Sequence, residues 1–167
     1  MELSRLRRPQ ASRRPSENAV PSTARDVMLD ERDSGTRMMI LDTSFMIDVL
    51  RGNPDVIAWE QRIGTEVPGI ATTISVMELW EGTLLAAATR EERDRVNSLL
   101  SDLHVAVFDS QSARRAAEIE VQLLERGTPI DIEDVMIAGV AKARDEPVLT
   151  GNPTHFEHVD GLVVKSY

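Results

Sequence analysis

Four stretches of the sequence place oxygen-bearing side chains where chemistry can be done. Asp42 ends the apolar run "MMIL" and is followed at once by Thr43 and Ser44. Glu78 lies in "SVMELWEG", while Asp131 and Asp134 are three apart and so share one face of a predicted helix. Thr150 and Asn152 close the run "PVLTGN". Carboxylate, amide and hydroxyl oxygens in one set suit a hard divalent cation, Mg²⁺ or Mn²⁺.

Each acid also has a structural reading. Asp42 can cap the helix that follows it. Ser75 and Glu78 have the spacing of a capping box. Asp131 is placed as an N-cap, with Asp134 three residues on, and both favour the positive end of a helix. Asp134 asks for more, because "VMIAGVA" after it is apolar enough to bury that helix, and a charge at its mouth needs a partner. The joint pattern carries the functional reading; no single acid does.

The elements that must position these groups alternate along the chain. Met38–Leu41 reads as a buried strand and Ser44–Leu50 as a helix stopped by Gly52. "NPDVIAWEQRIG" offers an Asn53 cap, Pro54 at the first helical position and Gly64 as a stop. "GIATTI" is β-branched and strand-like, and "SVMELWEGTLLAAA" follows as a helix. "TREERDRVNSLLSDL" carries a capping box at Thr89 and Glu92, giving an antiparallel helical pair. Then come the strand "HVAVFD", a helix closed by Gly127, the buried helix "IDIEDVMIAGVAKARD", the strand "PVLT", a short turn or helix "NPTHFEHV" and the strand "LVVKS". Strands separated by helices predict an α/β fold, a parallel-sheet α/β/α sandwich. In such a sheet ligands gather at the carboxyl ends of the strands, which is where Asp42, Glu78 and Thr150 fall.

Composition bounds the setting. The chain of 167 residues is 41% hydrophobic, enough for one domain with a sizeable core. It holds no cysteine, which excludes disulfides and thiolate metal sites and fits the cytoplasm. No run is long enough to span a bilayer, so no membrane role is expected. Residues 1–37 hold eight Arg and six acids, are rich in Ser and Pro, and lack apolar periodicity. They are expected to form a disordered tail, native or an upstream start or extension, ahead of a single domain at 38–167. The remaining residues hold 11 basic and 22 acidic side chains, an imbalance that argues against phosphate binding driven by bulk charge.

From about Met38 to its end the chain resembles the PIN-domain ribonucleases, and within them the VapC toxins of prokaryotic toxin–antitoxin pairs. "ILDTSFMIDVLRG" resembles the family's opening strand and first acidic motif, "ISVMELWEG" the second, and "PIDIEDVMIAGVAKARDEPVLTGNPTHFEHVDGLVV" the third and fourth. The departure is at the last motif, where many relatives carry an acid just before the phenylalanine and this chain has His155.

The resemblance implies a metal-dependent endoribonuclease in which Asp42, Glu78 and Asp134 are catalytic and hold Mg²⁺ or Mn²⁺. Thr43 and Ser44 would orient the first aspartate or touch substrate; Asp131, Thr150, Asn152 and His155 would be accessory. His155 has three readings: a ligand for a transition metal, a phosphate contact, or a surface histidine beside Phe156. Arg51, Arg114, Arg115 and Arg126 would meet the RNA. An antitoxin protein and a homodimer are the implied partners, with Val49, Leu50, Ile57, Trp59 and Trp80 either lining the antitoxin's groove or filling the core. Two alternatives stand beside this: a PIN-like module that binds RNA or a protein without cutting, and a phosphatase with Asp42 as nucleophile. The second alternative lacks its second aspartate, since Ser44 stands there.

Overall fold

The computed structural model describes residues 37–167. The tail expected at 1–37 therefore lies outside the described residues, Arg37 apart. Five short strands form one sheet: β1 Met39–Leu41, β2 Gly69–Thr72, β3 His104–Ala106, β4 Val148–Thr150 and β5 Val164–Ser166. Their order is β3-β2-β1-β4-β5, and every pairing is parallel. Parallel strands need crossovers, and helices supply them: α1 Thr43–Arg51, α2 Ile57–Arg62, α3 Thr73–Leu85, α4 Arg90–Ser101, α5 Ser110–Arg126, α6 Ile132–Arg144 and α7 Pro153–Phe156.

The sheet is covered on both faces, as its apolar strands require. Successive strand residues point to opposite sides, and the core divides accordingly. Ile40, Ile70 and Val148 pack with Ile119 and Leu123 of α5 and with Val135, Ile137 and Val140 of α6. Met39, Leu41, Ala71 and Leu149 pack with Phe45 and Met46 of α1, Leu79 of α3 and Val96 of α4. This is the sandwich expected from the sequence. Helices α5 and α6 approach closely because Gly139 has no side chain: a Cβ there would stand 2.7 Å from the Ser112 carbonyl and 2.8 Å from Ala116 Cβ.

Local signals mostly act as read. Asn53 accepts from Asp55 N, Thr89 and Glu92 form their capping box, and Gly52 and Gly127 end α1 and α5 in the left-handed region. "NPDVIAWEQRIG" is not one helix, however; a 3-10 turn at Pro54–Val56 precedes α2. The Ser75–Glu78 capping box does not form. Pairing to β3 ends at Thr72, so α3 begins two residues earlier than expected, and Thr72 caps it by accepting from Ser75 N at 3.0 Å. Glu78 is thereby released from the helix start.

Candidate metal centre

Because all strands run the same way, their carboxyl ends share one rim. Asp42 leaves β1 there and Thr150 ends β4 there. Helix α6 returns the chain towards β4, so its first turn, with Asp131 as N-cap and Asp134 inside, opens on the same rim. The short α7 after β4 brings His155.

Asp42 is only 4% exposed and sits at the N-cap position of α1, yet its side chain makes no capping bond. Its Oδ2 instead accepts from Ser44 Oγ at 2.5 Å and from Thr150 Oγ1 at 2.7 Å. Thr43 does not orient Asp42, contrary to expectation; its hydroxyl donates to Glu78 Oε2 at 2.6 Å. Adjacent residues thus hold two different acids. Both hydrogen bonds fall on Oδ2, and among the described residues none is made by the other carboxylate oxygen.

Across the rim, His155 Nδ1 lies 2.6 Å from Asp134 Oδ2 in a hydrogen bond whose direction follows the ring's tautomer. Asp131 also makes no capping bond, and its carboxylate joins Asp134 and His155 with ligating atoms all within 4.8 Å of one another. Asn152 does not reach Asp42: its backbone N–H donates to Thr150 Oγ1 and its side chain accepts from Thr154.

The charges feel one another. Burial pushes the Glu78 carboxyl above its ordinary pKa; the Thr43 hydroxyl opposes this, and Asp42, Asp134 and Glu133 add repulsion. Burial also raises Asp134, opposed by the hydrogen bond with His155 and reinforced by Asp42 and Asp131. Half-buried carboxylates that repel one another are what a divalent cation relieves. The donors on the rim, carboxylate oxygens with one imidazole nitrogen, fit Mg²⁺ or, with the nitrogen, Mn²⁺.

Other expected contributors are more dispersed. Arg126 is bidentate on Asp160, and Arg115 pairs with Glu118 at 2.8 Å. Val49, Leu50 and Trp59 pack against the core, whereas Ile57 is 49% exposed. A cavity of about 660 Å³ beside α5, lined in part by Arg115, Gln122, Lys142 and Asp160, shares no residue with the acid cluster. Tyr167 was missed from the sequence; it reaches the rim through contacts that no local pattern announces.

An all-parallel five-stranded sandwich with acids gathered at its carboxyl rim is the architecture of a PIN domain. The chain belongs to the PIN-domain family, whose model matches residues 39–162. The VapC resemblance of the motifs is borne out by curated relatives. The chain is 30% identical over 128 residues to the tRNA(fMet)-specific endonuclease VapC of Salmonella typhimurium, covering 77% of this chain and 96% of that protein. It is 32% identical over 125 residues to ribonuclease VapC5 of Mycobacterium tuberculosis, covering 73% and 87%. The crystal structure of DNA-bound VapBC from Salmonella typhimurium matches with a TM-score of 0.71 at 29% identity, over 78% of this chain and 98% of that one.

Proposed function

We propose that this protein is a divalent-metal-dependent endoribonuclease and the toxin of a toxin–antitoxin pair. The observation that carries the reading is geometric: hydroxyls of Ser44 and Thr150 hold Asp42, that of Thr43 holds Glu78, and Asp134 joins Asp131 and His155 with ligating atoms within 4.8 Å of one another. A bound Mg²⁺ or Mn²⁺ would supply charge for the phosphodiester oxygens and acidify a water. Asp42, Glu78 and Asp134 would hold it, with Asp131 and His155 at its flank. Ser44 and Thr150 fix Asp42, Thr43 fixes Glu78, and His155 fixes Asp134.

The names of the relatives make RNA, and tRNA first, the substrate class to test. An antitoxin protein is the proposed partner, since the solved relatives include VapBC complexes. A homodimer working in the cytoplasm completes the reading; among the described residues no helix is long and apolar enough to cross a membrane. With an acidic surface, RNA contact would rest on local cations such as Arg51 and Arg114.

The test is cleavage of mixed tRNA and rRNA by the purified full chain in Mg²⁺, Mn²⁺ or EDTA, beside Asp42→Asn. Metal-dependent cutting that Asp42→Asn loses supports the proposal. Equal silence from two folded, partner-free proteins would hand the lead to the non-cutting binding module.

A further inference from the structure

The chain leaves β5 at Ser166, which pairs with Thr150 of β4, so Tyr167 arrives beside Gly151 at the acid-bearing rim. Its ring packs edge-on against Phe45 of α1, with centroids 5.4 Å apart, and its hydroxyl donates to Asp48 Oδ2 at 2.9 Å. Burial and the bond to Asp48 push the phenol's pKa up to about 12, so the hydroxyl keeps its proton and remains a donor. The fit to Gly151 is close: a Cβ there would lie 2.9 Å from the ring carbon Cζ and closer still to the hydroxyl. A side chain at 151 would therefore push the tyrosine ring aside, although the backbone angles there, outside the left-handed region, would themselves tolerate one.

What Tyr167 braces leads straight to the site. Gly151 N donates to Ser44 Oγ at 3.0 Å, and Ser44 Oγ donates to Asp42 Oδ2 at 2.5 Å. Thr150, the residue before Gly151, donates to the same carboxylate oxygen. We propose that Tyr167 is a positioning residue of the metal centre: by pinning Gly151 to α1 it holds Ser44 and Thr150 in the geometry that fixes Asp42. This rests on the reading of Asp42 as a metal ligand. A side chain that served only stability would sit equally well with Asp42 displaced by a few tenths of an ångström, but an ion's ligand shell would not.

The experiment is a Mn²⁺ titration of the full chain by calorimetry for wild type, Tyr167→Phe, Gly151→Ala and Asp42→Asn. Thermal melts in EDTA and the amide resonance of Gly151 are recorded alongside. Tyr167→Phe keeps the ring and removes the bond to Asp48. The expected result is a several-fold loss of Mn²⁺ affinity, a melt within a few degrees of wild type, and a shifted Gly151 amide. Gly151→Ala, whose methyl displaces the ring, should lose affinity as well. Asp42→Asn separates the two ideas. If it loses Mn²⁺ while Tyr167→Phe and Gly151→Ala bind as wild type, the positioning role falls and the metal site stands. If Asp42→Asn also binds as wild type, Asp42 is not a ligand and both readings fall.

Discussion

Thr150 donates its hydroxyl to the Asp42 carboxylate at 2.7 Å, across 108 positions of sequence. Both side chains are buried, so neither has water to fall back on. A parallel sheet makes the contact possible, because β1 and β4 are neighbours and end on the same rim. Thr150→Val keeps the shape and deletes both the donor to Asp42 and the acceptor of the Asn152 N–H. It should cost on the order of 1–2 kcal/mol of stability and about tenfold or more in RNA cleavage, because Asp42 then rests on Ser44 alone. Urea melts and single-turnover cleavage would check this; unchanged cleavage would show that the hydroxyl is only structural.

His155 stands where many relatives have an acid, and it holds Asp134. His155→Asp would put a further carboxylate beside Asp131 and beside Asp134, whose pKa burial already raises. Its melting temperature in EDTA should therefore drop below wild type, while the rise on adding Mg²⁺ should be larger, since a cation relieves more repulsion. Differential scanning fluorimetry across a Mg²⁺ series reads both. Identical Mg²⁺-dependent shifts in the two proteins would remove His155 from the metal's surroundings.

Much of the fold was legible because strands and helices announce themselves by period, and the strand-end rule then placed Asp42 and Thr150. What failed was local choice between equivalent signals. Thr72, Thr73 and Ser75 offer competing cap frames, and only the length of the β2–β3 pairing selects Thr72. Contacts such as His155 with Asp134, or Tyr167 with Asp48 at a separation of 119, have no local signature at all. They follow from the sheet order, which periodicity does not specify.

Gly139 is the point at which α6 touches the α5 backbone. An added methyl would meet the Ser112 carbonyl at 2.7 Å, and a helix backbone cannot yield as a side-chain tip does. Gly139→Ala gains helix propensity of about 1 kcal/mol but forces the helices apart, so a net loss of about 1–3 kcal/mol is expected. Denaturant unfolding with an unchanged m-value would register it. A variant as stable as wild type would mean that the α5–α6 pair has slack.

Glu146 gives the fold a pH dependence unconnected with the metal. Among the described residues its Oε2 is buried without a hydrogen-bond partner, and burial raises its pKa above the ordinary glutamate value, opposed mainly by Arg144. Between the unfolded value, about 4.3, and the higher folded one, the native state binds more protons than the unfolded state. Its contribution to stability is therefore fully present below the unfolded value and is lost as pH rises through the folded one. Glu146→Gln keeps the shape of the side chain and does not titrate. The variant should match wild type at about pH 3.5, pull ahead as pH rises, and hold a constant advantage once Glu146 is fully ionised. Paired urea melts at several pH values would show that divergence. Parallel stability curves, with no growth in the gap, would mean that Glu146 ionises in the folded protein as easily as in the unfolded chain.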